Sequence, residues 1–171
     1  MEYSDKGAFD LTIRTYEERD RQRLHEITAG SFRDASVHGK IEGIYGELRG
    51  TTWADRKKPE INADIDGEPE GVLVAEVDGE VVGYITTTTD QTSGMGRIPN
   101  LAVDASCQGK GIGKALINAA MDRFRDTGME YAKIETLATN ETGGGLYPKA
   151  GFEEVVRQIH YVMKMEDAKR L

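Results

Sequence analysis

An α/β fold with a mixed central sheet and helices on both of its faces is the class this sequence predicts, and three observations carry the prediction. Near the N-terminus an alternating strand pattern runs straight into a helix signal. Mid-chain, two β-rich runs flank Asp78-Gly79, and further on glycines at 109, 111 and 113 join an apolar strand to an amphipathic helix. Hairpin-connected strands followed by strand, helix and strand build a sheet of mixed direction, which needs helices to cover it.

LTIRTY, residues 11 to 16, alternates as a half-buried strand does, and Thr15 with Glu18 has the capping-box spacing that opens a helix over 17 to 29, with Leu24 and Ile27 facing the core. Ile41, Ile44, Tyr45 and Leu48 hint at a second helix, but Gly39, Gly43 and Gly46 interrupt it, each costing about 1 kcal/mol in a helix. The reading for 30 to 58 is therefore a loose, mobile segment. From 72 to 89 the sequence forms a hairpin around Asp78-Gly79, a pair suited to the positive φ of a tight turn. RIPNLAV continues as a third strand in which Pro99 has no N–H for the ladder, so a bulge or an opening of the sheet is expected there. After the glycines, Ile112, Leu116, Ala120 and Phe124 recur on one helical face, and Gly128 stands at the C-terminal cap. YAKIETLA predicts another strand, GGGLYPKAGF a turn with a short helix, and EEVVRQIHYVMKM one or two closing strands, which would suit a homodimer.

At 171 residues, with 38% hydrophobic and 30% charged side chains, the chain suits one domain that buries about two thirds of its unfolded surface. Residues 1 to 10 read as a flexible N-terminus and 11 to 171 as a single domain. A lone cysteine, Cys107, rules out an internal disulfide framework and suits a reducing compartment. With no run near the roughly 20 apolar residues of a membrane span and no signal-peptide order at the start, the expectation is a cytoplasmic protein. The net charge of -8 argues against a nucleic-acid partner and mildly favours a cationic one.

A helix start offers unpaired N–H groups and the positive end of its dipole to an anion, provided side chains leave the approach open. Glycines at 109, 111 and 113 leave it open. A Walker loop would need glycine at 108 and Ser or Thr at 115, where Gln108 and Ala115 stand, and a dinucleotide fingerprint fails at Lys114 or Leu116. The pattern that fits is Q/R-x-x-G-x-G/A, on Gln108, Gly111 and Gly113, preceded by LAV. With Asn140 and the block Leu146-Tyr147-Pro148-Lys149-Ala150-Gly151-Phe152 downstream, the chain resembles the GNAT-type N-acetyltransferase superfamily over about residues 11 to 165.

That resemblance implies a GNAT-like acyl-coenzyme A transferase fold with acetyl-coenzyme A as co-substrate and an amine acceptor, without metal. Leu101, Ala102 and Val103 would offer backbone groups to the pantetheine arm. Gln108, Gly109, Lys110, Gly111, Ile112, Gly113 and Lys114 would cradle the pyrophosphate, and Asn140 would bond the pantetheine, cap a helix, or do both. A phenol, with a pKa of about 10, at the family's tyrosine makes Tyr147 the general acid for the leaving thiolate. Arg97 stands where some members carry glutamate, so the base is sought in Glu135, at the acid of enzymes acting on protein N-termini. Glu135 should either face the cleft, or pair with Arg97 or Lys133 or face solvent. A backbone N–H near Val103 would stabilise the oxyanion. The acceptor, a small amine, a lysine or a protein N-terminus, would be bordered by 30 to 58 and 90 to 96. The competing reading is a non-catalytic acyl-coenzyme A sensor, suggested by Arg97 and by Gly143, Gly144 and Gly145 where a better helix is usual.

Other features carry less. Asn62, Asp64, Asp66 and Gly67 imitate the start of a calcium loop, but Leu73 stands where its bidentate glutamate belongs, and the stretch reads as a solvated acidic loop. His25, His38 and His160 have no metal spacing. Cys107 has no histidine partner in view, and Trp53 reads as packing, or else as a lid or an acceptor contact.

Overall fold

The computed structural model describes residues 10–170, so the expected flexible terminus lies outside the described residues except for Asp10. Strand β1 (Leu11–Thr15) leads through a 3-10 turn to α1 (Arg21–Ser31). The capping box there is Glu17 with Asp20 and not Thr15 with Glu18. Thr15 is still paired with Leu73 in the sheet, and the Glu18 carboxylate is taken by the Tyr16 hydroxyl and Arg21. Asp20 also receives the Arg14 guanidinium, at 2.7 and 3.0 Å.

The segment expected to be loose folds as two helices, α2 (Val37–Tyr45) and α3 (Trp53–Gly67). Gly39 is the reason: a Cβ there would collide with the Arg33 carbonyl, so this glycine permits a close approach that a larger residue would block. Ser36 caps α2 by accepting the His38 N–H at 3.1 Å, and Thr52 and Asp55 box the start of α3. Trp53 is buried and packs; it forms no lid. The acidic stretch is the end of α3 and a 3-10 turn, not a solvated loop, since Ile61 and Ile65 are buried and carry Asp64 inward on their face.

Strands β2 (Val72–Val77) and β3 (Glu80–Asp90) form the expected hairpin, with Asp78 at φ 50 and Gly79 at φ 84. Strand β4 (Met95–Val103) pairs antiparallel with β3 and bulges where expected, since Thr87 alone faces both Ile98 and Pro99. Helix α4 (Ile112–Asp126) crosses over to β5 (Tyr131–Ile134), which lies parallel to β4, and α5 (Glu141–Leu146) follows. The sheet order is β1-β2-β3-β4-β5. On one face Leu116, Ala120 and Phe124 of α4 pack on Ile85 and Ile98; on the other Leu24, Ile27, Ile61 and Ile65 of α1 and α3 pack on Val74 and Tyr84.

Two expectations fail in the last part of the chain. Strand β5 stops at Ile134 and does not run on to Ala138. No closing strand forms among the described residues: 152 to 164 lie without regular structure, with Val155 89% and Tyr161 88% exposed. A strand needs a neighbour for its N–H and C=O groups, and the recorded tie from another element is the Tyr45 hydroxyl donating to the Val162 carbonyl at 2.9 Å.

Candidate active site

Strands β4 and β5 are joined only from Met95–Tyr131 to Ile98–Ile134. Beyond that point they part, while β4 continues against β3 through Leu101, Ala102 and Val103. The β5-facing edge of these three residues is left without a strand partner, although such groups require one from somewhere. One is used locally: the Gln108 amide donates to the Val103 carbonyl at 3.1 Å and so fastens the glycine turn to the strand end.

The turn is held from its near side. Asp104 accepts the Ser106 N–H at 3.0 Å and the Ser106 hydroxyl at 2.7 Å, and receives Arg23 at 2.7 Å. Those bonds hold its carboxyl below the usual range, the Ser106 hydroxyl first among them. Gly109 at φ 78 and Gly111 at φ 84 then swing the backbone into α4 through conformations that side chains disfavour. A Cβ at either would meet nothing within 4 Å, so the turn opens outward. The first intrahelical bond recorded runs from the Ala115 N–H to the Gly111 carbonyl, at 3.0 Å, which leaves the N–H groups of Ile112, Gly113 and Lys114 to the exterior. Lys110 and Lys114 are exposed beside them. Bare amides, a helix dipole and two lysines together fit a diphosphate.

Gly113 links this turn to the rest of the site. Its missing Cβ would sit 3.5 Å from Leu146 and 3.9 Å from Val103, so the end of β4, the start of α4 and the end of α5 converge here. Asn140 caps α5, accepting the Gly143 N–H at 3.2 Å and donating to Thr136 at 2.8 Å. Tyr147, next to Leu146, packs edge-on against Phe152 with ring centroids 6.3 Å apart. Burial pushes its phenol above the ordinary range, and no hydrogen bond from a described residue pulls it back.

Glu135 stands elsewhere than in a closed cleft. Just past β5, with 64% of its side chain exposed, it lies 2.5 Å from Lys133 and 3.9 Å from Arg97. Lys133, and then the charges of Lys133 and Arg97, hold its carboxyl low. The turn at 91 to 94, expected to border the acceptor, packs instead on the paired end of β4 and β5, where Gly94 accepts the Glu130 N–H at 2.8 Å. A surface cleft of about 290 Å³ does lie against α2, lined mainly by Val37, Ile41, Ile44, Tyr45, Leu137 and Tyr161. A polar cluster of Asp64, Thr86 and Asn100 on the α3 face escaped the reading of the sequence. The spacing Ile61, Asp64, Ile65 was the available signal, since it sets the carboxylate on the apolar side of a helix.

Comparison with known proteins agrees with this geometry. The profile of the Acetyltransferase (GNAT) family matches residues 22–152. The chain is 35% identical to an uncharacterized N-acetyltransferase of Methanocaldococcus jannaschii over 92% of its own length and 88% of the relative's. It is 31% identical to the mycothiol acetyltransferase of Stackebrandtia nassauensis over 92% of this chain, yet spans only 49% of that protein. In fold it resembles the PaiA N-acetyltransferase of Thermoplasma acidophilum, solved in complex with coenzyme A, with a TM-score of 0.69 and 22% identity over 84% of this chain and 90% of that one. The open turn at the start of α4, the parted β4 and β5, and the match across most of its length agree: the chain belongs to the GNAT acetyltransferase family.

Proposed function

We propose that this protein moves the acetyl group of acetyl-coenzyme A to a primary amine, by direct attack of the amine on the thioester. The observation that carries the reading is the outward-open turn at Gly109 and Gly111, set against the unpaired edge of Leu101 to Val103, with Leu146 and then Tyr147 following across from Gly113. Main-chain N–H groups from Gln108 to Lys114 hold the pyrophosphate, the strand edge takes the pantetheine amides, and Asn140 orients the arm from its cap of α5. Bound there, acetyl-coenzyme A supplies an activated acyl group.

The chain's own residues then manage protons. As the C–N bond forms and the C–S bond breaks, the Tyr147 hydroxyl gives its proton to the sulfur, and the proton lost by the amine restores it through solvent. Backbone N–H groups near Val103 stabilise the oxyanion, a contribution of up to about 3 kcal/mol when such donors are preorganised. Glu135 is the carboxylate at the mouth of the parted strands that takes up the amine proton by way of water. Its pairing with Lys133 and Arg97 keeps it ionised, so the acid limb it governs lies below the usual carboxylate range. The cleft against α2 receives the apolar part of the acceptor. Acetyl-coenzyme A and a lone thiol suit the cytoplasm, and the exposed apolar residues of 155 to 165 suit a second copy, which sedimentation would reveal.

The experiment is thiol release from acetyl-coenzyme A with polyamines, amino sugars, lysine derivatives and short peptides with free N-termini. Release with at least one of them is expected. Coenzyme A binding with no release from any of them would favour the second reading, a non-catalytic sensor, which the tied carboxylate of Glu135 supports.

A further inference from the structure

Where β4 leaves its pairing with β5, a polar cluster is set into the α3 face of the sheet. Asn100, 3% exposed, follows the bulge and precedes Leu101. Asp64 reaches it from α3: its Oδ2 accepts the Asn100 side-chain amide at 2.6 Å and the Thr86 hydroxyl at 2.9 Å. The Thr86 oxygen in turn accepts the Asn100 backbone N–H at 3.1 Å. These bonds consume the donors and leave acceptors over. Asn100 Oδ1 is buried with no partner among the described residues, and the recorded bonds to Asp64 both fall on Oδ2, leaving Oδ1 without one from a described residue.

Turning the Asn100 amide over would not resolve this, because its oxygen would then face the carboxylate. A buried acceptor without a donor costs about 1–3 kcal/mol, and Asn100 Oδ1 is one such atom. That oxygen, with the carboxylate oxygen of Asp64 that takes no recorded bond beside it, matches a cation that has N–H groups to give. The nearest lysine that acts on Asp64, Lys57, is bound to Glu60 at 2.5 Å.

We propose that Asp64 Oδ1 and Asn100 Oδ1 seat the primary amine of the acceptor as it arrives protonated, next to Leu101 on the strand edge that receives the thioester; the ammonium gives up one proton to water before its nitrogen attacks. The inference rests on the acetyl-transfer reading above and adds the amine's seat. Burial raises the Asp64 carboxyl above its ordinary range. For an acid raised in this way, the stabilising contribution is complete below the unfolded pKa and is lost as pH rises through the folded one. Ionised Asp64 therefore burdens the fold at neutral pH, as expected of a group kept for a ligand and not for stability.

The test is calorimetry at pH 7 on protein saturated with coenzyme A, using n-butylammonium as the probe. Asp64→Asn retains the shape and an acceptor for Thr86, so it should melt no lower than wild type, bind coenzyme A within twofold, and bind the probe at least tenfold more weakly. Glu60→Gln removes a neighbouring exposed carboxylate and should bind the probe as wild type does. Tetramethylammonium, which has charge but no N–H, should bind at least tenfold more weakly than the probe. The proposal is overturned by unchanged probe affinity in Asp64→Asn, by an equal loss in Glu60→Gln, or by a wild type that binds coenzyme A and gives no heat with n-butylammonium. A wild type that takes up no coenzyme A would overturn the acetyl-transfer reading itself, and this seat with it.

Discussion

Tyr147 carries the chemistry proposed for this fold, and its surroundings state the terms. Burial keeps the phenol protonated above its ordinary range, so no loss of activity through its ionisation should be seen below about pH 10, the unperturbed value. Tyr147→Phe should lower kcat by about 10²-fold, within the range for a lost general acid, with coenzyme A affinity nearly unchanged in calorimetry; wild-type turnover would remove the role. Gly143 sets the ring's position, since a Cβ there would come within 2.8 Å of both the Asn140 amide and the Tyr147 ring. Gly143→Ala should therefore reduce kcat and also weaken coenzyme A binding in calorimetry, since it displaces both the Tyr147 ring and the Asn140 side chain. Under the sensor reading Gly143 was merely a poor helix former; packed against Tyr147, it makes room for the ring.

Helix α4 serves two purposes at once, presenting bare amides at its start and burying Leu116, Ile117 and Phe124 along its length. Leu116→Ala should cost about 2–5 kcal/mol, as large-to-small core changes do, read as a lower urea midpoint at unchanged slope. The elements legible in the sequence were those built from near neighbours. The hairpin at Asp78-Gly79 and α4 declare themselves through turn chemistry and a 3.6-residue period. Helix α2 did not, because Gly39 looks like a breaker until the Arg33 carbonyl lies against it. Asp64 was hidden likewise, its acidic neighbours suggesting a loop while Ile61 and Ile65 carried it into the fold. The segment 153 to 165 alternates like a strand, yet a strand exists only beside another, and no local pattern names its neighbour.

For the whole molecule, the net charge of -8 and the acceptors collected around Asp64 favour a cationic acceptor. Surface charges lose reach as the Debye length shrinks from about 10 Å at 0.1 M salt to about 3 Å at 1 M. The KM for the amine should accordingly rise with salt while kcat holds; a KM indifferent to salt would deny the surface any part in capture. The turn proposed to hold the pyrophosphate, and the strand leading into it, could be picked out because the glycines, Gln108 and LAV sit close together in sequence. The amine's side of the reaction proposed above was not, since it draws on α2, α3 and β4, which are separated in the sequence and meet only in the folded chain.

The central claim, that the amides at the start of α4 grip a diphosphate, is tested most directly by titrating the protein with acetyl-coenzyme A and, separately, with S-acetylpantetheine, which carries the same thioester arm without the diphosphate. The account predicts one-to-one binding of acetyl-coenzyme A and affinity for the shorter compound weaker by at least 100-fold, about 2.7 kcal/mol. Equal affinities, or no heat with either compound, would contradict it.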